Sequence, residues 1–291
     1  MIPPEILRQV RRIEIYTNRV VNETISGRYE SVFKGQGIEF EEVREYQPGD
    51  DVRSIDWNVT ARTGRPHIKR FVEERELTVM FLVDLSRSMA FGSVRQLKQR
   101  AATELCAVLA FSAIKHHDKV GLLLFTDRIE RFLPPRKGPK HVLRVIREVL
   151  SAEPLGRGTD VRVAFDYLGR VLHHKAVVFL LSDFFCGEIR APLAVANKRH
   201  DLIAVHLVDP RQEALPNIGW LRFQDAESGG ELLVQSGDAG VRQGYTQWAA
   251  AHRQRLKEMT ASAAVDLVEV RTDRPHIDPL LRFFRMRALR R

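Results

Sequence analysis

Apolar side chains follow two rhythms along this chain. Short unbroken runs, Val79-Met80-Phe81-Leu82-Val83, Val120 to Phe125 and Ala176 to Leu181, read as strands buried on both faces. Leu202 to Val208 is a further such strand, and Ile129 to Leu133 a short hairpin partner of Lys119–Phe125. Between them the apolar positions recur at helical spacing. Leu97, Ala101, Leu105 and Leu109 share one face of a helix expected over 94–116. Helices are also predicted over Lys140–Leu150, Val161–Leu172 and Ile189–Lys198. Strands alternating with helices predict an α/β fold with a doubly wound, mostly parallel sheet flanked by helices.

The rhythm changes at both ends. Ile6, Val10, Ile13, Thr17 and Val20 follow Pro3-Pro4 at spacings of three and four, which predicts an amphipathic N-terminal helix. The glycine-punctuated stretch Gly27 to Gly37 carries Arg28 and Lys34, but its glycines lack the spacing of a phosphate-binding loop. Ile38–Tyr46 is a candidate strand stopped by the turn Gln47-Pro48-Gly49-Asp50, and Pro66–Glu76 alternates as a second. After Asp209-Pro210, Trp220–Asp225 and Glu231–Gln235 predict a β-hairpin around Glu227-Ser228-Gly229-Gly230. A helix over Val241–Thr260, a strand over Val265–Val270 and a helix over Pro279–Leu289 follow. The expected organisation is an N-terminal helix and β extension over 1–76, then an α/β domain over 77–291 with a hairpin insertion near 217–237.

Chemistry enters at the ends of the buried runs. The first stops abruptly at Asp84, and Ser86 and Ser88 follow at alternate positions. A carboxylate at the carboxyl end of a buried strand lies where open α/β sheets place their ligands. Carboxylate and hydroxyl oxygens together suit a hard divalent cation such as Mg²⁺. Two other segments supply matching groups. Leu155-Gly156-Arg157-Gly158-Thr159-Asp160 is a glycine-rich loop with a hydroxyl at Thr159, and Ala176–Leu181 runs into Ser182-Asp183. Asp and Ser also cap helices, so each residue has a purely structural alternative.

Taken together, Asp84-x-Ser86-x-Ser88, Thr159 and Asp183 resemble the metal-ion-dependent adhesion site of von Willebrand factor type A domains. Upstream, Gly35-Gln36-Gly37-Ile38-Glu39-Phe40, Glu45-Tyr46-Gln47-Pro48-Gly49-Asp50-Asp51-Val52-Arg53-Ser54-Ile55-Asp56-Trp57 and Ala61-Arg62 resemble the signature block of the domain of unknown function 58 family. That resemblance covers roughly Ser31 to the C-terminus. It implies a bacterial, cytoplasmic protein with a von Willebrand A-like fold. It also implies Mg²⁺ (or Mn²⁺ or Ca²⁺) held by Asp84, Ser86, Ser88, Thr159 and Asp183. The activity it implies is non-catalytic: metal-dependent capture of a partner carboxylate, as an adaptor or co-chaperone for a MoxR-type AAA+ ATPase or its client. The alternative is a Mg²⁺-dependent phosphoryl-transfer or hydrolytic enzyme with Asp84 as nucleophile. Against it, Ser86 replaces the second acid of a phosphatase-type nucleophile, and no convincing general base stands in the three site segments, although Asp160 is nearby. A third reading is a structural subunit whose metal site only stabilises.

Composition narrows the remaining classes. The 291 residues carry 46 Lys and Arg against 37 Asp and Glu, a net charge of +9. Those cations are dispersed, except at Arg282, Arg285, Arg287, Arg290 and Arg291, where they complement a final helix dipole. Nucleic-acid binding is therefore not expected. The cluster Arg44, Asp50, Asp51, Arg53, Asp56 and Arg62 reads as an ion-pair network bracing an irregular segment, or else as a docking surface. His116-His117 and His173-His174 close helical patterns and are expected to cap them or lie at the surface. Cys106 and Cys186 are expected to be reduced. The start, Met1-Ile2-Pro3-Pro4-Glu5, lacks the pattern of a signal peptide. The apolar runs fall far short of the roughly 20 residues that span a bilayer, so a soluble protein is expected.

Overall fold

The computed structural model describes residues 4–21, 29, 38–73, 76–156, 158–225, 227 and 229–290. Arg28, Lys34, Gly35, Gln36, Gly37, Arg157, Ser228 and Arg291, singled out above, lie outside them. The helices are α1 (Pro4–Val20), α2 (Trp57–Thr63), α3 (Lys98–Lys115), α4 (Pro139–Ser151), α5 (Val161–Val171), α6 (Arg190–Arg199), α7 (Pro210–Glu213), α8 (Ala239–Ser262) and α9 (Ile277–Leu289). The strands are β1 (Ile38–Glu45), β2 (His67–Glu73), β3 (Thr78–Asp84), β4 (Lys119–Phe125), β5 (Ile129–Arg136), β6 (Val177–Ser182), β7 (Asp201–Val208), β8 (Trp220–Gln224), β9 (Glu231–Gln235) and β10 (Asp266–Arg271).

Six strands form the central sheet in the order β10-β7-β6-β3-β4-β5. All neighbours run parallel except β5, which turns back antiparallel on β4. Counted from β3 along the chain, this is the doubly wound order, with its reversal between β3 and β6. The expected doubly wound, mostly parallel sheet flanked by helices is thus present. Alternate residues of β3 serve opposite faces. Val79, Phe81 and Val83 join a core under α1, α3, α4 and α9, while Met80 and Leu82 join one under α5, α6 and α8. Double coverage explains why these strands read as continuous apolar runs. Val10 and Ile13 of α1 belong to the first core, so the N-terminal helix packs on the main sheet.

β1 and β2 pair antiparallel in a sheet of their own, and so do β8 and β9, the expected hairpin. Two local differences from the sequence reading have clear causes. The helix expected from Val94 begins at Lys98, because Asp209 draws Ser93 away: its Oδ2 accepts the Ser93 N–H at 2.8 Å and its Oδ1 the Ser93 hydroxyl. The short α2 went unpredicted inside the charged block. Asp56 caps it by accepting the N–H groups of Asn58 and Val59, and Gly64 ends it at φ 73°, a left-handed turn open to glycine.

Candidate functional site

Open α/β sheets place their ligand crevice at the carboxyl ends of the strands where the order reverses, here β3 and β6. Asp84 ends β3 and is fully buried. Its Oδ1 accepts the Ser86 N–H at 2.7 Å, and its Oδ2 accepts the Ser182 hydroxyl at 2.6 Å. The parallel register of Val83 with Leu181 sets Ser182 and Asp183 beside Asp84. Burial, and then the charge of Asp183, push the Asp84 carboxyl up to about 6, although Ser182 and Ser86 oppose the rise by hydrogen bonding. The Ser86 and Ser88 hydroxyls face each other at 3.1 Å on the turn that follows.

Asp183 is also fully enclosed, and its partner was not foreseen. Lys98 Nζ pairs with Asp183 Oδ2, both side chains having 0 % exposure. The ammonium lies 5.9 Å from the ring centres of both Phe91 and Phe185, a cation–π pairing on two sides. Phe184, directly after Asp183, holds a left-handed backbone at φ 54°, uncommon for an aromatic residue. That turn buries Phe184 and leaves Phe185 stacked on His252 at 4.6 Å and on Trp248 at 6.0 Å.

The glycine-rich loop reaches the same edge through β4. Phe125, at the end of β4, is the register partner of Asp84. The next residue, Thr126, accepts the Asp160 N–H on its carbonyl at 3.0 Å. Glu130 fastens the loop from below, accepting the Gly156 N–H at 2.8 Å, the Leu155 N–H at 3.1 Å and the Thr126 hydroxyl at 2.7 Å. A β-carbon on Gly156 would collide with the Thr126 and Asp127 side chains, so the close approach needs glycine. Thr159 is the outlying member of the expected set: its hydroxyl donates to Glu227 Oε1 at 3.2 Å, from the β8–β9 hairpin. The half-buried Cys186 senses the whole neighbourhood. Burial and the charges of Asp84, Asp183, Asp160 and Glu227 push its thiol up to about 12, which disfavours the thiolate.

The oxygen set suits a hard cation in chemistry. The Ser86 and Ser88 hydroxyls are adjacent neutral donors with the Asp84 carboxylate beside them, while the Thr159 hydroxyl bonds to Glu227. Among the described residues no three His, Cys, Asp or Glu side chains gather into a metal-binding group. Any ion here would depend on hydroxyl oxygens.

The family model described as "Protein of unknown function DUF58" matches residues 42–255. The chain belongs to the DUF58 family. Its relatives include the uncharacterized protein Rv1480 of Mycobacterium tuberculosis, 32 % identical over 284 residues, 96 % of this chain and 89 % of that protein. Similar solved structures include the conserved hypothetical protein BatB from Bacteroides thetaiotaomicron, at 16 % identity over 74 % of this chain and 100 % of that one, with a TM-score of 0.48. Another is the SpRpn10 VWA domain, at 12 % identity over 70 % of this chain and 94 % of that one, with a TM-score of 0.40. The DUF58 match takes in every residue of the crevice, from Asp84 to Glu227. Among the described residues no helix is long and apolar enough to cross a membrane.

Two crevice residues escaped the sequence reading, and each carried a signal. Lys98 is a cation in the first turn of a helix whose remaining face is apolar, against the preference of the helix dipole. Asp209 precedes a proline and ends a buried strand, as Asp84 and Asp183 do. It accepts the Arg211 N–H and the Thr272 hydroxyl in addition to its two bonds from Ser93. Burial works against its ionisation, but these bonds outweigh it and hold the Asp209 carboxyl below its ordinary range.

Proposed function

We propose that this protein is a non-catalytic protein-binding module that captures a carboxylate of its partner at the Asp84 crevice, with a divalent cation as the bridge. The observation that carries the reading is the pair of serine hydroxyls, 3.1 Å apart, beside a buried aspartate at the reversal point of the sheet. Ser86, Ser88 and Thr159 would hold Mg²⁺, with Asp84 and Asp183 as inner or water-linked carboxylates. Bound there, the ion offers an open position to an incoming Asp or Glu.

The chain's own residues prepare that position. The Ser86 N–H and the Ser182 hydroxyl fix both oxygens of Asp84, so the carboxylate cannot swing. Ser182 in turn accepts the Phe184 N–H at 2.9 Å, which sets the strained turn beside Asp183. Glu130 and Gly156 hold the Thr159 loop against the end of β4. Neutral hydroxyl donors leave a bound cation electron-poor and receptive to an external anion.

The partner proposed is a MoxR-type AAA+ ATPase or a client that it remodels, in the cytoplasm. An enzymatic role for Asp84 fits less well. A nucleophilic carboxylate must reach its substrate, whereas Asp84 has 0 % exposure and both oxygens engaged. The test is a pull-down from lysate with the full chain, with and without chelator, beside Asp84→Ala. Capture that needs Mg²⁺ and Asp84 supports the reading; capture unchanged in EDTA refutes the metal bridge.

A further inference from the structure

Two aspartates at one strand edge need a counter-charge, and the fold already holds one. Lys98 Nζ sits on Asp183 Oδ2 with no exposure of either group. Its placement defies local preference. A lysine at the first position of α3 faces the positive end of the helix dipole, and the preceding residue, Leu97, provides no side-chain cap. The backbone secures it from the other side, since the Lys98 N–H donates to the Phe91 carbonyl at 3.0 Å. The phenyl rings of Phe91 and Phe185 flank the ammonium. A residue that breaks local rules this way is held by its tertiary role.

We infer that Lys98 is the resident cation of the crevice: it keeps Asp183 out of direct contact with a divalent ion, leaving it at most linked through water, so that the ion is held weakly by Asp84 and the hydroxyls and the site keeps its shape without it. The inference deepens the carboxylate-capture reading and rests on it for the location of the ion. Its physical content is charge. Asp84, Asp183 and Lys98 leave the crevice a net charge of −1, where two bare carboxylates would present −2. Each added negative charge strengthens the attraction for a divalent ion. A weakly held ion with neutral donors keeps more of its own charge for an external carboxylate. Lys98 thereby sets the balance between holding the ion and holding the partner.

The test is a Mg²⁺ titration of the full chain by calorimetry and thermal unfolding, on wild type, Lys98→Met and the paired Lys98→Met/Asp183→Asn. Charge removal in Lys98→Met is expected to tighten Mg²⁺ binding by about tenfold or more. The paired variant, back at a net charge of −1, is expected to return close to the wild-type midpoint. If Lys98→Met is unfolded in chelator, Mg²⁺ should restore its thermal transition; failure to restore it counts against the inference. Equal midpoints for wild type and Lys98→Met overturn the role of Lys98 and leave the metal reading standing. Binding by Lys98→Met alone supports the role of Lys98 and removes the ion from the native function. Binding by none of the three overturns both.

Discussion

Asp84 and Asp183 are sealed between two strands, whereas Asp50, Asp51 and Asp56 organise the extension around β1 and β2. Both regions carry acids close to basic residues and both stand out in the sequence. In the extension the acids act locally. Asp50 takes a two-pronged pair from Arg44, at 2.7 and 2.9 Å, and the Gln47 N–H. Asp51 caps the turn over 52–54, and Asp56 caps α2. Neither short helix has a buried residue, and Trp57 is 70 % exposed. In the crevice each acid is answered from a distant part of the chain: Asp84 by Ser182, Asp183 by Lys98, Asp209 by Ser93 and Thr272. A dense local motif therefore marks a shaped surface, and sparse acids at strand ends mark the buried polar centre.

The largest effect that would break this contrast lies at the buried pair. Asp183→Asn strips the counter-charge from an enclosed ammonium. We expect a loss of about 3–5 kcal/mol in urea unfolding, with most of it regained in Lys98→Met/Asp183→Asn, where both charges are gone. A loss below about 1 kcal/mol, the range of an exposed pair, would mean that the crevice behaves like the surface block.

This pair also shows where sequence reading stops. Unbroken runs such as 79–83 and 177–181 announce a doubly covered strand, and their terminal acids announce the edge, because burial on both faces erases polar alternation. The sheet, most of its helices and the strand-end positions of Asp84 and Asp183 were legible for that reason. Lys98 was not, because its partner is 85 residues away and pairing across that distance leaves no local pattern. Thr159 was placed on its loop, but its bond to Glu227 depends on where the β8–β9 hairpin folds back, which spacing does not encode. In the charged block the sequence suggested an ion-pair network; the structure has the Arg44–Asp50 pair and adds caps beside it, because Asp51 and Asp56 each precede a turn that needs its N–H groups satisfied.

Acid sensitivity sharpens the contrast from another side. Burial holds His206 neutral and brings it down to about 3, helped by His252, Arg253 and Lys98 and opposed by Asp183. Glu269 Oε2 stands 4.0 Å from its Nδ1. A depressed histidine contributes stability above its unfolded value near 6.5, and that stability drains away as pH falls toward 3. Wild type is expected to lose roughly 3 kcal/mol more than His206→Leu between pH 7 and pH 4. Asp84, raised to about 6, runs the opposite way, gaining stability as pH falls from about 6 toward 4. Its contribution is common to both proteins and drops out of the difference. Parallel stability–pH curves for the two would show that this histidine is hydrated.

A smaller effect is expected one strand over. Ser182→Ala removes the hydroxyl that Asp84 Oδ2 accepts and the oxygen that takes the Phe184 N–H. Leaving those buried groups unpaired should cost about 1–3 kcal/mol in denaturant unfolding. Ser182→Thr, which keeps the hydroxyl, should recover much of it. A threonine variant as weak as the alanine one would trace the loss to packing.

The smallest effect belongs to the exposed block, and it decides whether the two regions differ in kind. Trp57 begins α2 yet buries little, so Trp57→Ser should move stability by no more than about 0.5 kcal/mol. Asp56→Ala, one residue earlier, removes the acceptor of the Asn58 and Val59 N–H groups and should cost about 1 kcal/mol. The pair of variants separates shape from surface: the aspartate builds the helix, and the indole only rides on it. Thermal unfolding of both beside wild type reads the difference directly. If Trp57→Ser proves as damaging as Asp56→Ala, the indole is packed against part of the protein in solution, and the extension would have to be counted with the core rather than against it.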